Sequence, residues 1–122
     1  MKSRDTLIRL KRFQLEEKRR RVRQIEMMVA EFTRMIADLD REIATEERRA
    51  GISDPGHFAY PTYARAAAAR RDNLKSSIVE LSAQVEDAKA AQEEAQAELI
   101  KYESLEGREK LGERGAESFA RA

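Results

Sequence analysis

The sequence lacks cysteine and tryptophan, and its 122 residues include only two prolines, four phenylalanines and three tyrosines. Without cysteine, neither a disulfide framework nor thiolate chemistry is available. No stretch approaches the ~20 consecutive apolar residues of a membrane span, and no apolar run of signal-peptide length follows the N-terminus. These absences predict a soluble, cytoplasmic protein with no direct membrane insertion.

Charged residues, by contrast, make up 39% of the chain. A compact domain of this length buries about two-thirds of the surface that its unfolded chain exposes, which so charged a sequence cannot do. Ala, Glu, Arg, Leu, Lys and Gln are abundant, and these residue types favour helix. The composition therefore predicts long helices in a coiled coil rather than a globular core or a disordered chain.

Apolar residues of the first half recur at heptad spacing. One series runs in steps of seven from Ile8 to Ile43, and a second comprises Ile25, Phe32 and Leu39. Together they form an a/d seam, which a helix buries by supercoiling against a partner helix. A similar seam in the second half comprises Leu74, Ile78, Leu81, Val85, Ala88, Gln92, Ala95, Leu99 and Tyr102.

Both prolines lie between the two seams, in residues 50–61. Gly51 is suited to end the first helix in a left-handed conformation, and Pro61 to start the second. We therefore predict an all-α fold, a long antiparallel two-helix hairpin that forms a two-stranded coiled coil. Its helices would span about residues 4–49 and 62–106.

Beyond this hairpin of residues 1–106, the helical pattern fails. Gly107, Gly112 and Gly115 fall close together, and each glycine costs a helix about 1 kcal/mol relative to alanine. The sequence therefore predicts a frayed or disordered tail at residues 107–122.

Antiparallel pairing gives partners whose residue numbers add to a nearly constant value, from Leu39 with Leu74 to Leu15 with Leu99. Charge favours the same orientation, since residues 1–50 carry 14 basic and 10 acidic side chains and residues 51–122 carry 10 and 13. Basic side chains of residues 9–23 would then face acidic ones of the second helix. These acidic residues are Glu93, Glu94, Glu98 and Glu103.

The chain offers little for catalysis. His57 is its single histidine and lies in the predicted turn, and a two-helix hairpin cannot surround a metal ion or a catalytic triad. No Gly-rich phosphate loop is present either. We predict no enzymatic activity, no cofactor and no metal.

Two features suggest partner proteins. The basic run at residues 18–23 is either a solvated helix face or a docking surface for an acidic protein rim. Nucleic acid or anionic membrane is a further possibility, although no aromatic side chain interleaves the run. Phe58, Tyr60 and Tyr63 cluster near the turn, where they either plug the end of the seam or expose at least one aromatic anchor.

Four segments carry a resemblance to a known family: MKSRDTLIRLKRF at 1–13, QIEMM at 24–28, GISDP at 51–55 and FAYPTYA at 58–64. Together with the hairpin length, they resemble the FliJ family of flagellar export proteins in its alphaproteobacterial short form. The resemblance implies a cytoplasmic component of the flagellar type III export apparatus, similar to the coiled-coil stalk of rotary ATPases.

Proteins of this family seat in the ring of the export ATPase, promote its assembly and activity, link it to the membrane export gate and act with export chaperones. The resemblance thus implies these three partners, no nucleic acid, and a location peripheral to the inner membrane at the flagellar basal body. The implied ring-docking residues are Arg9, Lys11, Arg12, Lys18 and Arg19. The implied gate-docking residues are Ile43, Phe58, Tyr60 and Tyr63.

Two alternatives remain beside this function. One is an RNA-binding helical arm, such as those appended to some synthetases. The other is a generic coiled-coil scaffold or holding chaperone. Binding of structured RNA that persists near physiological salt would distinguish the first from nonspecific charge attraction.

Overall fold

A computed structural model describes residues 2–121, and the side chains of residues 3–116. Within that range the chain forms two helices and no strand: α1 spans Lys2–Ala50 and α2 spans Thr62–Arg121. The helices pack against each other antiparallel, which confirms the predicted all-α hairpin. Met1 and Ala122, the outermost residues of the predicted hairpin and tail, lie outside the described residues.

Contacts divide the chain into two compact units, each built from both helices. The terminal unit comprises residues 1–22 and 87–122, and the turn unit comprises residues 23–86. Each unit has a hydrophobic core of its own.

The core of the terminal unit is a cluster of Ile8, Leu15 and Leu99, with Ala95 and Tyr102 packed against it. All five residues belong to the predicted seams. Leu15 and Leu99 share this cluster, as the antiparallel register requires. The pairing predicted from spacing therefore holds in this unit.

The core of the turn unit combines large and very small side chains. Ala64 and Ala67 are buried on the first turns of α2, and Ala64 is 0% exposed. These small residues let α1 approach closely, and the larger side chains of Ile43 and Tyr60 fill the remaining space. The half-buried residues packed against this cluster are Leu39, Ile52 and Ala68.

Every residue of the two predicted seams is buried or half-buried. Seam residues that are at most 8% exposed and lie outside the two clusters are Val22, Ile25, Leu81 and Val85. This burial confirms the inward face of each helix that the heptad pattern predicts.

The ends of the connection are as the sequence predicts. Gly51 has a positive φ of 72°, and its N–H donates to the Glu47 carbonyl at 2.9 Å, so it ends α1 in the left-handed conformation that glycine adopts at low cost. Pro61 directly precedes α2, and its carbonyl accepts the Arg65 N–H at 3.1 Å.

The predicted tail is where the structure differs. Helix α2 does not end near residue 106 but continues to Arg121. Extending an existing helix avoids the cost of nucleation, and the residues between the glycines are mostly good helix formers. Ion pairs of Glu106 with Lys110 and of Arg4 with Glu109 also involve this segment. The glycines alone therefore do not terminate the helix.

Ile25, only 1% exposed, tests the buried seam. We expect Ile25→Ala to lower the free energy of unfolding by about 2–4 kcal/mol, because it removes buried methyl groups and leaves a cavity. Urea titration followed by circular dichroism measures the change. The matched control is Met27→Ala on the same helix, where the side chain is 71% exposed. Equal midpoints for the two variants would contradict burial of the seam at this position.

Candidate protein-interaction surfaces

The terminal unit carries the five residues predicted to dock in an ATPase ring, and one of them is held by the hairpin itself. The Lys11 Nζ donates to Glu98 Oε1 at 2.7 Å and lies 5.5 Å from the centroid of the Tyr102 ring. The bond to Glu98 is the main reason that the pKa of Lys11 is raised. Lys11 therefore serves first to join the two helices.

Arg19 is paired within its own helix, where its guanidinium contacts Glu16 Oε1 at 2.6 Å. Arg20 contacts Glu17 in the same way, at 3.2 Å. The sequence predicted that basic side chains of this stretch face acidic ones of the second helix, and for these two arginines that prediction is wrong. A carboxylate three residues earlier on the helix is already within reach, so they bind it instead.

Arg9, Arg12 and Lys18 are exposed. Among the residues whose side chains are described, none forms an ion pair with these three cations. Arg9 and Arg12 also line a polar cleft together with Asp5, Glu106 and Lys110. Of the five predicted ring-docking residues, these three have charges that are available to an acidic partner.

Two apolar side chains beside these cations were missed by the sequence reasoning. Leu10 is 48% exposed and Phe13 is 62% exposed. The heptad pattern could have indicated their exposure, because both lie off the a/d positions, on the outer face of α1. They add apolar surface next to Arg9 and Arg12.

The turn unit carries the four residues predicted to dock to an export gate, and the structure places them in two environments. Ile43 is 7% exposed and Tyr60 is 6% exposed, and both lie in the core cluster. Little of either side chain is accessible to a partner, which argues against a direct docking contact at these two positions. Phe58 at 94% and Tyr63 at 54% are exposed, and their docking role stays a prediction.

Carboxylates of α1 lie beside both Tyr63 and Tyr60 and affect their pKa values. The Tyr63 hydroxyl donates to Glu42 Oε2 at 2.7 Å, and this bond is the main cause of the raised pKa of Tyr63. Burial is the main cause of the raised pKa of Tyr60, followed by the influence of Glu47. Both phenols thus favour the protonated form in the fold.

Comparison of the chain with protein-family models, with curated proteins and with solved structures gave no match. Neither helix, over the residues that the structure describes, is long and apolar enough to cross a membrane. Those residues also bring no three histidine or carboxylate side chains together as metal ligands. The candidate functional surfaces are the exposed cations of the terminal unit and the exposed aromatic side chains of the turn unit.

The two tyrosines make the stability of the hairpin sensitive to high pH. Their folded-state pKa values lie above the ordinary 10.0, so the stability that comes from the protonated phenols is complete below pH 10 and is lost as the pH rises through the raised values. Between about pH 8 and about pH 11, we expect the melting temperature of the wild type to fall more than that of Tyr60→Phe/Tyr63→Phe. Parallel melting curves by circular dichroism would contradict this.

Proposed function

We propose that the protein is a component of the bacterial flagellar type III export apparatus, where it acts as a stalk and adaptor. In this role it docks in the ring of the hexameric export ATPase and promotes the assembly and activity of that ring. It also links the ring to the membrane export gate and assists export chaperones. The observation behind this proposal is a helical hairpin whose terminal unit exposes cations with no ion-pair partner among the described side chains, while its turn unit exposes aromatic side chains.

Docking in the ring is supported by the charges of Arg9, Arg12 and Lys18. Because no described carboxylate forms an ion pair with them, they are available to an acidic protein rim. Complementary charge of this kind speeds association and suppresses wrong partners more than it adds affinity. Lys11 and Arg19 contribute less to docking, since each already has an ion-pair partner within the hairpin.

The link to the gate is supported by Phe58 and Tyr63, the exposed aromatic residues of the turn unit. Exposed aromatic side chains on a fixed scaffold are common anchors of protein interfaces. The segments that resemble the FliJ family support the identity of the partners. Docking to the membrane export gate also favours a cytoplasmic location, peripheral to the inner membrane at the flagellar basal body.

A second candidate function, an RNA-binding helical arm, is favoured by one observation. The exposed ring of Phe13 lies in the same stretch of α1 as Arg9 and Arg12, and aromatic stacking beside cations is how many proteins bind single-stranded nucleic acid. We place it second because a single aromatic residue offers one stacking position. Glu16 and Glu17 also pair with Arg19 and Arg20, which leaves these two arginines less available to phosphates.

The test is stimulation of the purified export ATPase across a concentration series of this protein. We expect the wild type to raise ATP turnover and Arg9→Gln/Arg12→Gln/Lys18→Gln to need about tenfold more protein for the same effect, because the steering charge is lost. The control, Arg34→Gln/Arg41→Gln/Arg48→Gln, removes the same charge from exposed positions of the turn unit and should behave as the wild type. Circular dichroism should show equal helix content in all three proteins.

Three results would count against this proposal. Binding of the wild type to the ATPase without any rise in turnover would refute the activator role. Equal losses in both triple variants would show that only net charge matters. Binding of structured RNA that persists near physiological salt, without an effect on the ATPase, would favour the RNA-binding arm.

A further inference from the structure

Helix α2 of the terminal unit carries a second set of regularly spaced residues, on the side that α1 does not cover. They recur at alternating steps of three and four and are all exposed: Ala90, Glu93, Ala97, Ile100, Ser104, Gly107 and Leu111. Ile100 is 56% exposed and Leu111 is 69% exposed. Small and apolar residues at this spacing are typical of a helix that packs along another helix. We call this set the α2 stripe.

Helix α1 of the same unit carries a corresponding α1 stripe, which consists of Leu10, Phe13, Glu17 and Arg20. These residues follow the same alternation of steps and are all exposed. Each lies two positions after a residue of the a/d seam, so the stripe is on the side of α1 that faces away from α2. Leu10 is 48% and Phe13 is 62% exposed. The terminal unit therefore has an uncovered stripe on each of two opposite sides.

The charges on and beside the two stripes have opposite sign. The exposed cations of α1 in this unit that have no ion-pair partner among the described side chains are Arg9, Arg12, Lys18 and Arg21. Exposed acids of α2 that likewise have no such partner are Glu93, Glu94 and Glu103. Lys101 is the only cation within residues 90–104. The α1 side is therefore basic and the α2 side acidic.

This arrangement of charge favours one occupant, the other stripe of a second copy. Two α2 stripes in contact would bring Glu93 and Glu94 of both copies together, and two α1 stripes would do the same with Arg9 and Arg12. Like charges placed together in this way suppress association, whereas opposite charges favour it. Nucleic acid or an anionic membrane would meet the cations of α1 but would be repelled by the acids of α2.

We infer that the terminal unit binds a second copy of this chain, with the α1 stripe of one copy packed antiparallel along the α2 stripe of the other. With Phe13 opposite Ile100, the antiparallel orientation places residues 18–21 of one copy beside Glu93 of the other. The parallel orientation would place them near Arg108 instead, which repels them. This inference goes beyond the proposed function and does not depend on it.

The contact is heterologous, since it joins two different faces. Because each copy offers both faces, on opposite sides, further copies can add at either end and the assembly does not close. Each contact covers about three helical turns, which is a small interface, so we expect weak association. Copies joined in this way cover Arg9 and Arg12, and these cations are then not available to another partner.

Two single substitutions test whether unlike faces pair. Phe13→Gln removes the aromatic ring from the α1 stripe and leaves the α2 stripe intact, and Ile100→Gln does the reverse. Glutamine preserves helix propensity in both. In a mixture, the α2 stripe of the first variant can bind the α1 stripe of the second, but no third copy can add. The matched control is Met28→Gln, which replaces an apolar side chain of α1 that is 43% exposed and lies outside both stripes.

Sedimentation equilibrium gives the readout. Between about 10 µM and about 1 mM, the mean mass of the wild type and of Met28→Gln should rise above the 14.0 kDa of one chain. Phe13→Gln and Ile100→Gln should each associate at least about tenfold more weakly, and their equimolar mixture should level off at the mass of two chains. Added salt should weaken the association of the wild type, because it screens the charges. All variants should melt at the same temperature when dilute.

The remaining outcomes each refute the inference. A wild type that stays at the mass of one chain binds no second copy. Association retained by Ile100→Gln alone would indicate contact between two α1 stripes, and association retained by Phe13→Gln alone would indicate contact between two α2 stripes. A mixture that forms no dimer would exclude the pairing of unlike faces, and an equal loss in Met28→Gln would indicate nonspecific apolar contact. The proposed function stands in all these cases, since it requires only one copy.

Discussion

Burial of the apolar seam of α1 against α2 is the interaction on which the other features of the structure depend. A helix whose apolar residues recur every 3.5 positions gains little by itself, since its seam stays in water until a partner covers it. Here the partner comes from the same chain, through a turn that Gly51 and Pro61 delimit. Ile8, Leu15 and Leu99 in one unit, and Ile43 with Ala64 and Ala67 in the other, show α1 closed against α2.

Because the seam residues are turned inward, the side chains that remain exposed indicate where a partner could bind. Seven cations of α1 pair with a carboxylate one helical turn away or on α2, and exposed pairs of this kind stabilise a fold by only about 0–1 kcal/mol. Arg9, Arg12 and Lys18 have no such partner among the described residues, and the same holds for Arg21, Arg23 and Arg48. In the turn unit, Phe58 stays outside the core although Tyr60 is drawn in. The proposed docking surfaces depend on Arg9, Arg12 and Lys18 in the terminal unit and on Phe58 in the turn unit.

The sequence was sufficient for the fold because its signals are periodic and local. Heptad spacing predicted the buried face of each helix, and Gly51 and Pro61 marked the turn. It was insufficient where two contacts compete for one group: Arg19 could reach Glu16 on its own helix or an acid on the other, and spacing does not choose between them. The glycines after Glu106 likewise predicted a tail, because propensity counts their cost but not the ease of extending a helix. Ile43 and Tyr60 were assigned to docking by resemblance. The heptad pattern already placed Ile43 on the buried face of α1, whereas the burial of Tyr60 in the turn depends on packing that no local pattern reveals.

The antiparallel closure within one chain can be tested at Lys11 and Glu98, whose Nζ and Oε1 lie 2.7 Å apart. A carbodiimide joins a carboxylate to an amine that is already in contact, and mass spectrometry identifies the linked peptides. Mixing isotope-labelled and unlabelled protein before the reaction shows whether a link joins one chain or two. A hairpin closed within one chain gives a Lys11–Glu98 link in which both peptides carry the same label. Peptides of mixed label, or the absence of this link, would contradict it.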